Sequence, residues 1–272
     1  MRYDAYIFDV DGVLIDHSNS FIPSIVLAVK TILNDDTFNQ EHVFEIKSFK
    51  NFNNDWDTAI AGYCWRKFHS SENLSDYLEK VNELGSGIIG VRNSSNELTS
   101  ELEEHLIRLV KESYGGTTAC KKLYGFYPTT ILKKGFWNNE TPMVSYNKIK
   151  PFLQKLAIFT GRNKEEMELG FEILKWRIDD KMLAVSDLPE LNKPNPKKLI
   201  PLIENLNCKN PLFVGDTEDD SQLVLNYVKN TGKPSSKMII TIVRNRNGEM
   251  LINPIKHMAF LTNLIIFFSI IL

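Results

Sequence analysis

Carboxylates, one hydroxyl and one ammonium group recur in four short segments of the chain, and together they could transfer a phosphoryl group. The segments are Phe8-Asp9-Val10-Asp11-Gly12-Val13-Leu14, Phe159-Thr160-Gly161-Arg162, Asn192-Lys193-Pro194 and Val214-Gly215-Asp216-Thr217-Glu218-Asp219-Asp220. Three of them follow short apolar runs, which are typical of buried parallel strands. Because ligands of open α/β sheets bind at the carboxyl ends of such strands, we expect these side chains to share one crevice. Its composition would suit magnesium-assisted phosphoryl transfer.

The first segment offers two carboxylates at the end of a strand. Asp9 could attack phosphorus and form an aspartyl-phosphate, which would split one displacement into two easier ones. Asp11 lies on the same side of an extended chain, where it could protonate the leaving oxygen and then activate water. A DxDG string also opens calcium-binding loops, which require Glu at the twelfth position. That position is Ser20 here, so a calcium loop is rejected.

The fourth segment places Asp216 and Asp220 four residues apart, where a strand is expected to turn into a helix. One carboxylate could bind a metal ion directly while the other acts through water or orients the first. Acidic residues in a first helical turn also stabilise the helix without binding anything. Taken alone, the segment fits either role equally well, and the other three segments favour the metal site.

The second and third segments supply groups that could hold phosphate. The Thr160 hydroxyl and the amides near Gly161 could donate hydrogen bonds to phosphate oxygens, and we expect Gly161 and Arg162 to bind the substrate. An isolated TGR string is more often a simple turn. Lys193 lies in a polar loop where most lysines are merely solvated. Its functional case is that carboxylates and phosphate together need a compensating cation.

In order, spacing and residue type, the four segments resemble the motifs of the haloacid dehalogenase-like (HAD) hydrolase superfamily. The matching residues are Asp9 and Asp11, Thr160, Lys193, and Gly215-Asp216 with Asp220. The resemblance implies a Mg²⁺-dependent phosphohydrolase that cleaves a small phosphorylated metabolite through an aspartyl-phosphate. It implies catalytic roles for Asp9, Asp11, Thr160 and Lys193, and a metal site formed by Asp9, Asp11, Asp216 and Asp220.

The resemblance leaves three functional classes open. Dehalogenases of the superfamily lack the second acidic residue of the DxD motif, and this chain has Asp11. Phosphomutases similar to beta-phosphoglucomutase keep both carboxylates and are the alternative to a phosphatase. A catalytically idle domain that only binds a partner is a third possibility, which the intact motifs disfavour.

The hydrophobic pattern divides the chain into a helical segment and an alternating segment. Apolar spacings of three and four predict helices at about 57–68, 74–84 and 98–113, with Gly115-Gly116 ending the last of them. After residue 141, short apolar runs alternate with helical patterns, which predicts βαβ units and a parallel sheet. The predicted core helices lie at about 148–156, 164–176, 196–206 and 220–229, and the later strands at 182–185, 211–214 and 238–243.

These patterns and the resemblance together predict an α/β fold. A Rossmann-like three-layer core with a parallel sheet would comprise residues 1–17 and 141–272, and a helical cap domain would comprise residues 18–140. The arrangement is similar to the C1 cap of subfamily I, which includes phosphoglycolate-phosphatase-like members. We expect the cap to close over the crevice and select the substrate. Asn54 and Asp55 are expected to contribute to substrate binding, although they also suit the start of a helix.

The composition of the chain limits the kinds of binding partner and the cellular compartment that we expect. The chain has 272 residues and a formal net charge of −2, which gives no electrostatic case for nucleic acid or an anionic membrane. Three cysteines without CxxC spacing fit a reducing cytoplasm and argue against structural zinc. The apolar tail, residues 258–272, is short for a bilayer span of about 20 residues. We expect it to form a last strand and helix of the core.

Overall fold

The computed structural model describes residues 3–52, 54–231 and 239–241. Contacts divide the chain into two compact units, Met1–Asp16 with Thr141–Leu272 and His17–Glu140. The strands are β1 (Ala5–Phe8), β2 (Ile15–Asp16), β3 (Thr141–Pro142), β4 (Leu156–Phe159), β5 (Leu183–Ala184), β6 (Pro211–Gly215) and β7 (Ile239–Thr241). The helices are α1 (Phe21–Leu33), α2 (Gln40–Ser48), α3 (Asp55–Phe68), α4 (Leu74–Glu83), α5 (Gly87–Ser94), α6 (Ser100–Tyr124), α7 (Tyr146–Ile149), α8 (Lys164–Leu174), α9 (Leu199–Leu206) and α10 (Glu218–Thr231).

The first unit is built on a five-stranded parallel sheet in the order β5-β4-β1-β6-β7. Every residue of β1, β4 and β6 is buried. Strands that are covered on both faces read as continuous apolar runs rather than alternating ones, which is why these three strands could be located from the sequence.

Alternate residues of β1, β4 and β6 pack into two separate hydrophobic clusters, one on each face of the sheet. Tyr6 and Phe8 of β1 face the cluster that contains Met167 and Phe171 of α8. Ile7 faces the opposite cluster, to which α9 and α10 contribute Leu199, Leu202, Leu223, Val224 and Tyr227. The unit therefore has three layers, α/β/α, and the predicted fold class is confirmed.

The loop after β1 is tightly closed. The carbonyl of Val10 accepts hydrogen bonds from the amides of Val13, Leu14 and Ile15, at 3.3, 2.8 and 2.8 Å. These four apolar side chains are fully buried. The chain then enters β2, which pairs antiparallel with β3 so that Asp16 lies opposite Thr141. The apolar residues of the first motif thus fix the loop that carries its carboxylates.

The second unit is helical and has its own core. Helices α1 to α6 share one cluster of buried residues that includes Ile25, Phe38, Tyr77 and Leu109. The helices α2 and α5 were not predicted. The prediction that Gly115-Gly116 ends a helix is met in part: the backbone at Gly116 is not helical (φ 56°, ψ −161°), and a further helical stretch, which was not predicted, continues α6 to Tyr124.

The remaining expectations are met in part. The helix predicted at 148–156 is a single turn, α7, followed by a 3₁₀ segment, Lys150–Lys155, and residue 156 already belongs to β4. All three cysteines are free thiols. Within the described residues, no helix combines the length and the apolar character that a membrane span requires. The tail, 258–272, lies outside the described residues, and the strand predicted at 238–243 is described only at 239–241.

Candidate active site

Three neighbouring strands of the parallel sheet end at polar residues. Asp9 follows β1, Thr160 follows β4, and Asp216 follows β6. The amide of Asp9 donates to Val214 at 2.8 Å and that of Thr160 to Ala184 at 3.0 Å, so the strand ladders continue into these positions. The sheet order places β1 between β4 and β6. The predicted catalytic segments are therefore brought together at the carboxyl edge of the sheet.

A buried lysine links two of the carboxylates. The Nζ of Lys193 lies 2.9 Å from Oδ1 of Asp9 and 2.7 Å from Oδ1 of Asp220. The three side chains are 8%, 9% and 0% exposed, in the order Lys193, Asp9, Asp220. The aromatic rings of Phe159 and Phe213 each lie 5.6 Å from the same Nζ, which adds a favourable cation–π contact. Lys193 thus lies beside the carboxylates of the predicted site, and its catalytic role stays a prediction.

Burial and mutual repulsion disturb the protonation of this cluster. Burial raises the pKa of Asp9 to about 7, with the Asp220 and Asp11 carboxylates adding to the shift and Lys193 opposing it. Burial would lower the pKa of Lys193, but the Asp9 and Asp220 carboxylates hold it above its usual value. The ammonium is therefore charged at neutral pH. Strongly perturbed groups at a strand edge are typical of functional sites.

Asp220 organises the loop that carries Asp216. Its Oδ2 accepts hydrogen bonds from the amide of Asp216 at 3.2 Å, the amide of Thr217 at 3.1 Å and the Thr217 hydroxyl at 2.7 Å. A Cβ at Gly215 would lie 2.5 Å from the Asp220 carboxyl carbon. Glycine is therefore required for this approach. Both Asp220 oxygens are held by the chain itself, so Asp220 is placed to support the site.

The carboxylate of Asp216 is turned toward the site. Its Oδ1 is buried and has no hydrogen-bond partner within the described part of the chain. A Cβ at Gly12, whose φ is +71°, would lie only 1.9 Å from Asp216 Oδ2, so the first motif needs glycine at this point. Burial and the neighbouring carboxylates of Asp9 and Asp220 raise the pKa of Asp216 well above its usual value.

These side chains fit a divalent cation. One oxygen each of Asp9, Asp216 and Asp220 lies within 4.8 Å of the others. A buried carboxylate oxygen without a donor is costly unless a cation or proton compensates it. Mg²⁺ is commonly bound by one or two carboxylates together with waters and phosphate oxygens. Asp9 and Asp216 are the residues that would hold it.

The second motif, Thr160 to Arg162, contacts the first through an ion pair between Arg162 and Asp11. The Thr160 hydroxyl is buried and accepts a hydrogen bond from the amide of Arg162 at 3.1 Å, which leaves its own proton free to donate. Gly161 is exposed with open space around its Cα. The guanidinium of Arg162 is buried against Asp11, with Nη2 2.5 Å from Oδ1. The expected roles of Gly161 and Arg162 in substrate binding stay predictions.

Asn54 and Asp55 belong to the second unit and are engaged within it. The side chain of Asn54 caps α3 by accepting from the amides of Trp56 and Asp57. Asp55 forms an ion pair with Lys47 at 2.8 Å. These contacts are those of a helix start, and the predicted role in substrate binding stays a prediction.

Sequence reasoning missed two supporting residues. Asn226 of α10 donates from Nδ2 to the carbonyl of Pro194 at 3.0 Å, which anchors the loop that presents Lys193. No local pattern marks Asn226 for this role. Thr217 binds Asp220 through both its amide and its hydroxyl, and a threonine directly before an acidic helix start is a recognisable capping signal.

Known proteins share this architecture at low sequence identity. Neither a protein-family model nor a curated protein sequence matches the chain. Phosphatase Tt82 from Thermococcus thioreducens is 24% identical, with 90% of this chain and 94% of that chain covered and a TM-score of 0.67. A Lactobacillus delbrueckii protein, provisionally assigned as a phosphoglycolate phosphatase, is 16% identical with 100% and 99% covered and a TM-score of 0.57. CbbY from Rhodobacter sphaeroides, solved with phosphate, is 13% identical with 96% and 94% covered and a TM-score of 0.50.

These similarities establish the fold. Three of the four motifs lie at the carboxyl ends of β1, β4 and β6, and Lys193 of the remaining motif contacts Asp9 and Asp220. The predicted subfamily with a helical C1 cap stays a prediction. The chain has the fold of the haloacid dehalogenase-like hydrolase superfamily.

Proposed function

We propose that the protein is a Mg²⁺-dependent phosphatase that hydrolyses a small phosphorylated metabolite through an aspartyl-phosphate on Asp9. The observation that carries this proposal is the buried network of Asp9, Lys193 and Asp220 beside the donor-free oxygen of Asp216. It combines a nucleophile, a fixed positive charge and a place for a cation. The similar solved structures that are named as phosphatases also support a phosphatase function.

The metal would be held by Asp9, Asp216 and the backbone carbonyl of Asp11, with Asp220 supporting from behind. When bound, Mg²⁺ neutralises charge on the phosphoryl oxygens and on the carboxylates. Asp220 contributes by fixing the Asp216 loop and by sharing Lys193 with Asp9. Lys193, Thr160 and the amide of Gly161 would bind the remaining phosphoryl oxygens.

In the first step a carboxylate oxygen of Asp9 attacks phosphorus. A bond forms between that oxygen and phosphorus, and the bond from phosphorus to the ester oxygen breaks. The leaving alkoxide takes a proton from Asp11, which becomes a carboxylate. Lys193 remains charged throughout and offsets the negative charge that gathers around Asp9.

In the second step water attacks the aspartyl-phosphate. Asp11 accepts the proton of that water, the new bond forms between the water oxygen and phosphorus, and the bond to the Asp9 oxygen breaks. Inorganic phosphate leaves and Asp9 is restored. Each step uses the same Asp11 carboxyl in the opposite protonation state, as microscopic reversibility requires.

The decisive experiment is turnover against a panel of phosphorylated metabolites with Mg²⁺, measured as release of inorganic phosphate. We expect at least one small phosphate monoester to be hydrolysed, with phosphate released in equal amount to substrate lost. Chelation of the metal should abolish the activity. Isomerised sugar phosphate without phosphate release would indicate a phosphomutase instead, and no turnover of any compound would contradict the proposal.

A further inference from the structure

Arg162 forms a close charged contact that the proposed mechanism leaves unused. Its Nε lies 3.1 Å from both carboxylate oxygens of Asp11, and its Nη2 lies 2.5 Å from Oδ1. The arginine side chain is 1% exposed and the Asp11 side chain 26%. A fully enclosed guanidinium thus meets a carboxylate that still reaches solvent.

We propose that Arg162 is a positioning residue that fixes the Asp11 carboxyl for proton transfer, and that it does not bind the phosphate. The proposal rests on the proposed function, in which Asp11 is the acid and base. Contacts to both oxygens define the plane and direction of the carboxylate, because the guanidinium is itself planar. The Asp11 carboxyl would then already have the orientation needed to transfer its proton to the leaving oxygen, with no change of rotamer.

The backbone of Arg162 is anchored on both sides, as a positioning residue requires. Its amide donates to the Thr160 hydroxyl at 3.1 Å, and its carbonyl accepts from the amide of Ser186 at 2.8 Å. These bonds tie the turn after β4 to the loop after β5. The guanidinium therefore projects from a fixed point, and it links the second motif to the first across 151 residues of sequence.

The burial of Arg162 also argues against direct phosphate binding. An arginine that captures a phosphate presents its donors to the open site, whereas this side chain is enclosed and directs three contacts at one carboxylate. Lysine could keep the charge but not the two-oxygen contact, because an ammonium is a point charge on a flexible stem. The arrangement therefore calls for arginine.

The test compares leaving groups. Arg162→Met and Arg162→Lys are assayed on p-nitrophenyl phosphate, which needs little protonation, and on the alkyl phosphate that the wild-type chain hydrolyses fastest. Because general acid catalysis contributes about 10²–10⁴-fold, we expect kcat for the alkyl phosphate to fall at least about tenfold. For the aryl phosphate kcat should change less than about threefold, and KM should change little for both.

Two further variants make the result specific. Asp11→Asn combined with Arg162→Met should lose no more activity than Asp11→Asn alone, because residues that act as one unit are not additive. Arg177→Met is the matched control, since Arg177 makes a two-point contact with Glu168 at 2.7 and 2.8 Å but is 48% exposed. The control should behave as wild type on both substrates.

Several outcomes would overturn the proposal. Equal losses on both substrates, a KM that rises about tenfold or more, or losses that add in the double variant would each show that Arg162 binds phosphate or only stabilises the fold. Should Arg162→Met fail to fold, Arg162→Lys and the double variant, which removes both charges, still decide. Absence of wild-type phosphate release would overturn the proposed function instead, so the two failures are distinguishable.

Discussion

At the scale of single residues, the site has an excess of negative charge. Three carboxylates, those of Asp9, Asp216 and Asp220, face one cation, Lys193. Buried charges are tolerated only when they are paired or bind a cation. The two uncompensated charges match one divalent ion. The raised pKa values of Asp9 and Asp216 are what such a cluster shows before a cation is added.

We predict that Mg²⁺ stabilises the folded protein, and that Asp216→Asn weakens this effect. The Asp216 oxygen without a donor is the predicted ligand, and loss of a ligand should reduce Mg²⁺ affinity at least about tenfold. The measurement is the rise of Tm with Mg²⁺ concentration, together with calorimetric titration. Asp187→Asn, at an exposed aspartate of the same unit, is the control. Unchanged affinity in Asp216→Asn would remove Asp216 from the metal site.

We predict that Asp9→Asn abolishes phosphate release while the protein stays folded. The change is nearly isosteric, and Lys193 keeps its second partner, Asp220. Loss of a nucleophile costs more than about 10³-fold in kcat. Circular dichroism and thermal unfolding provide the check on folding, and Asp187→Asn again serves as the control. Near-normal turnover in Asp9→Asn would refute the aspartyl-phosphate route.

At the scale of elements, a helix or strand could be predicted when its own residues carried the pattern, and was missed when it depended on contacts with distant residues. β1, β4 and β6 were predictable because burial on both faces leaves an unbroken apolar run. Helix α5 was missed because its ends carry Gly87 and Ser94, which are typical turn residues. The continuation of α6 past Gly116 was missed for a similar reason. There the glycine serves a close approach, since a Cβ would lie 2.0 Å from the Gly135 amide.

The residues of the candidate site also differ in how far they could be predicted from local sequence. The positions of Asp9, Lys193 and Asp216 were predictable, because the order of motifs and the rule of strand ends need no tertiary detail. The partner of Arg162 was not, because it lies 151 residues away and depends on β1 and β4 being neighbours in the sheet. The role of Asn226 likewise depends on how α10 packs beside the Lys193 loop.

One buried carboxylate organises the second unit. The Glu112 side chain is fully enclosed, and its oxygens accept from the amides of Thr129, Thr130 and Ile131 at 3.1, 2.9 and 2.9 Å. Arg108, one turn earlier on α6, donates to it at 3.1 Å. Burial opposes ionisation, but these hydrogen bonds together hold the pKa of Glu112 below its usual value. The carboxylate thereby fixes the segment after α6.

We predict that Glu112→Gln destabilises the second unit at neutral pH and has less effect in acid. The amide would face backbone donors with its own NH₂ group, at a cost of roughly 3 kcal/mol. Because the folded pKa of Glu112 is lowered, its stabilisation is complete above the usual value of 4.5 and declines as pH falls through the folded value. Thermal unfolding at several pH values measures this.

Glu104→Gln, at an exposed position of the same helix, is the matched control and should melt as wild type does. The difference in Tm between wild type and Glu112→Gln should shrink steadily below about pH 4.5. A difference that stays constant with pH would show that Glu112 acts through its shape rather than through its charge.

At the scale of the whole molecule, the two units keep separate hydrophobic cores. Among the described residues, the clusters on the two faces of the sheet contain only members of the first unit, and the helical cluster contains only members of the second. The two crossings between units lie next to the β2–β3 pair, where Asp16 is opposite Thr141. Each unit therefore has the buried apolar surface that independent folding requires.

We predict that the second unit can be removed and that each part folds by itself. Replacing residues 17–140 with Asn-Gly would join Asp16 to Thr141 through a two-residue turn, the connection that antiparallel strands favour. The shortened chain should unfold cooperatively and keep the Tm shift with Mg²⁺, because the residues proposed to bind the metal belong to the first unit. It should still hydrolyse p-nitrophenyl phosphate slowly but lose selectivity among metabolites, since the sequence predicts that the second unit is a cap that selects the substrate.

Residues 17–140 alone should show their own cooperative transition. Two unfolded fragments would show instead that the cores depend on each other.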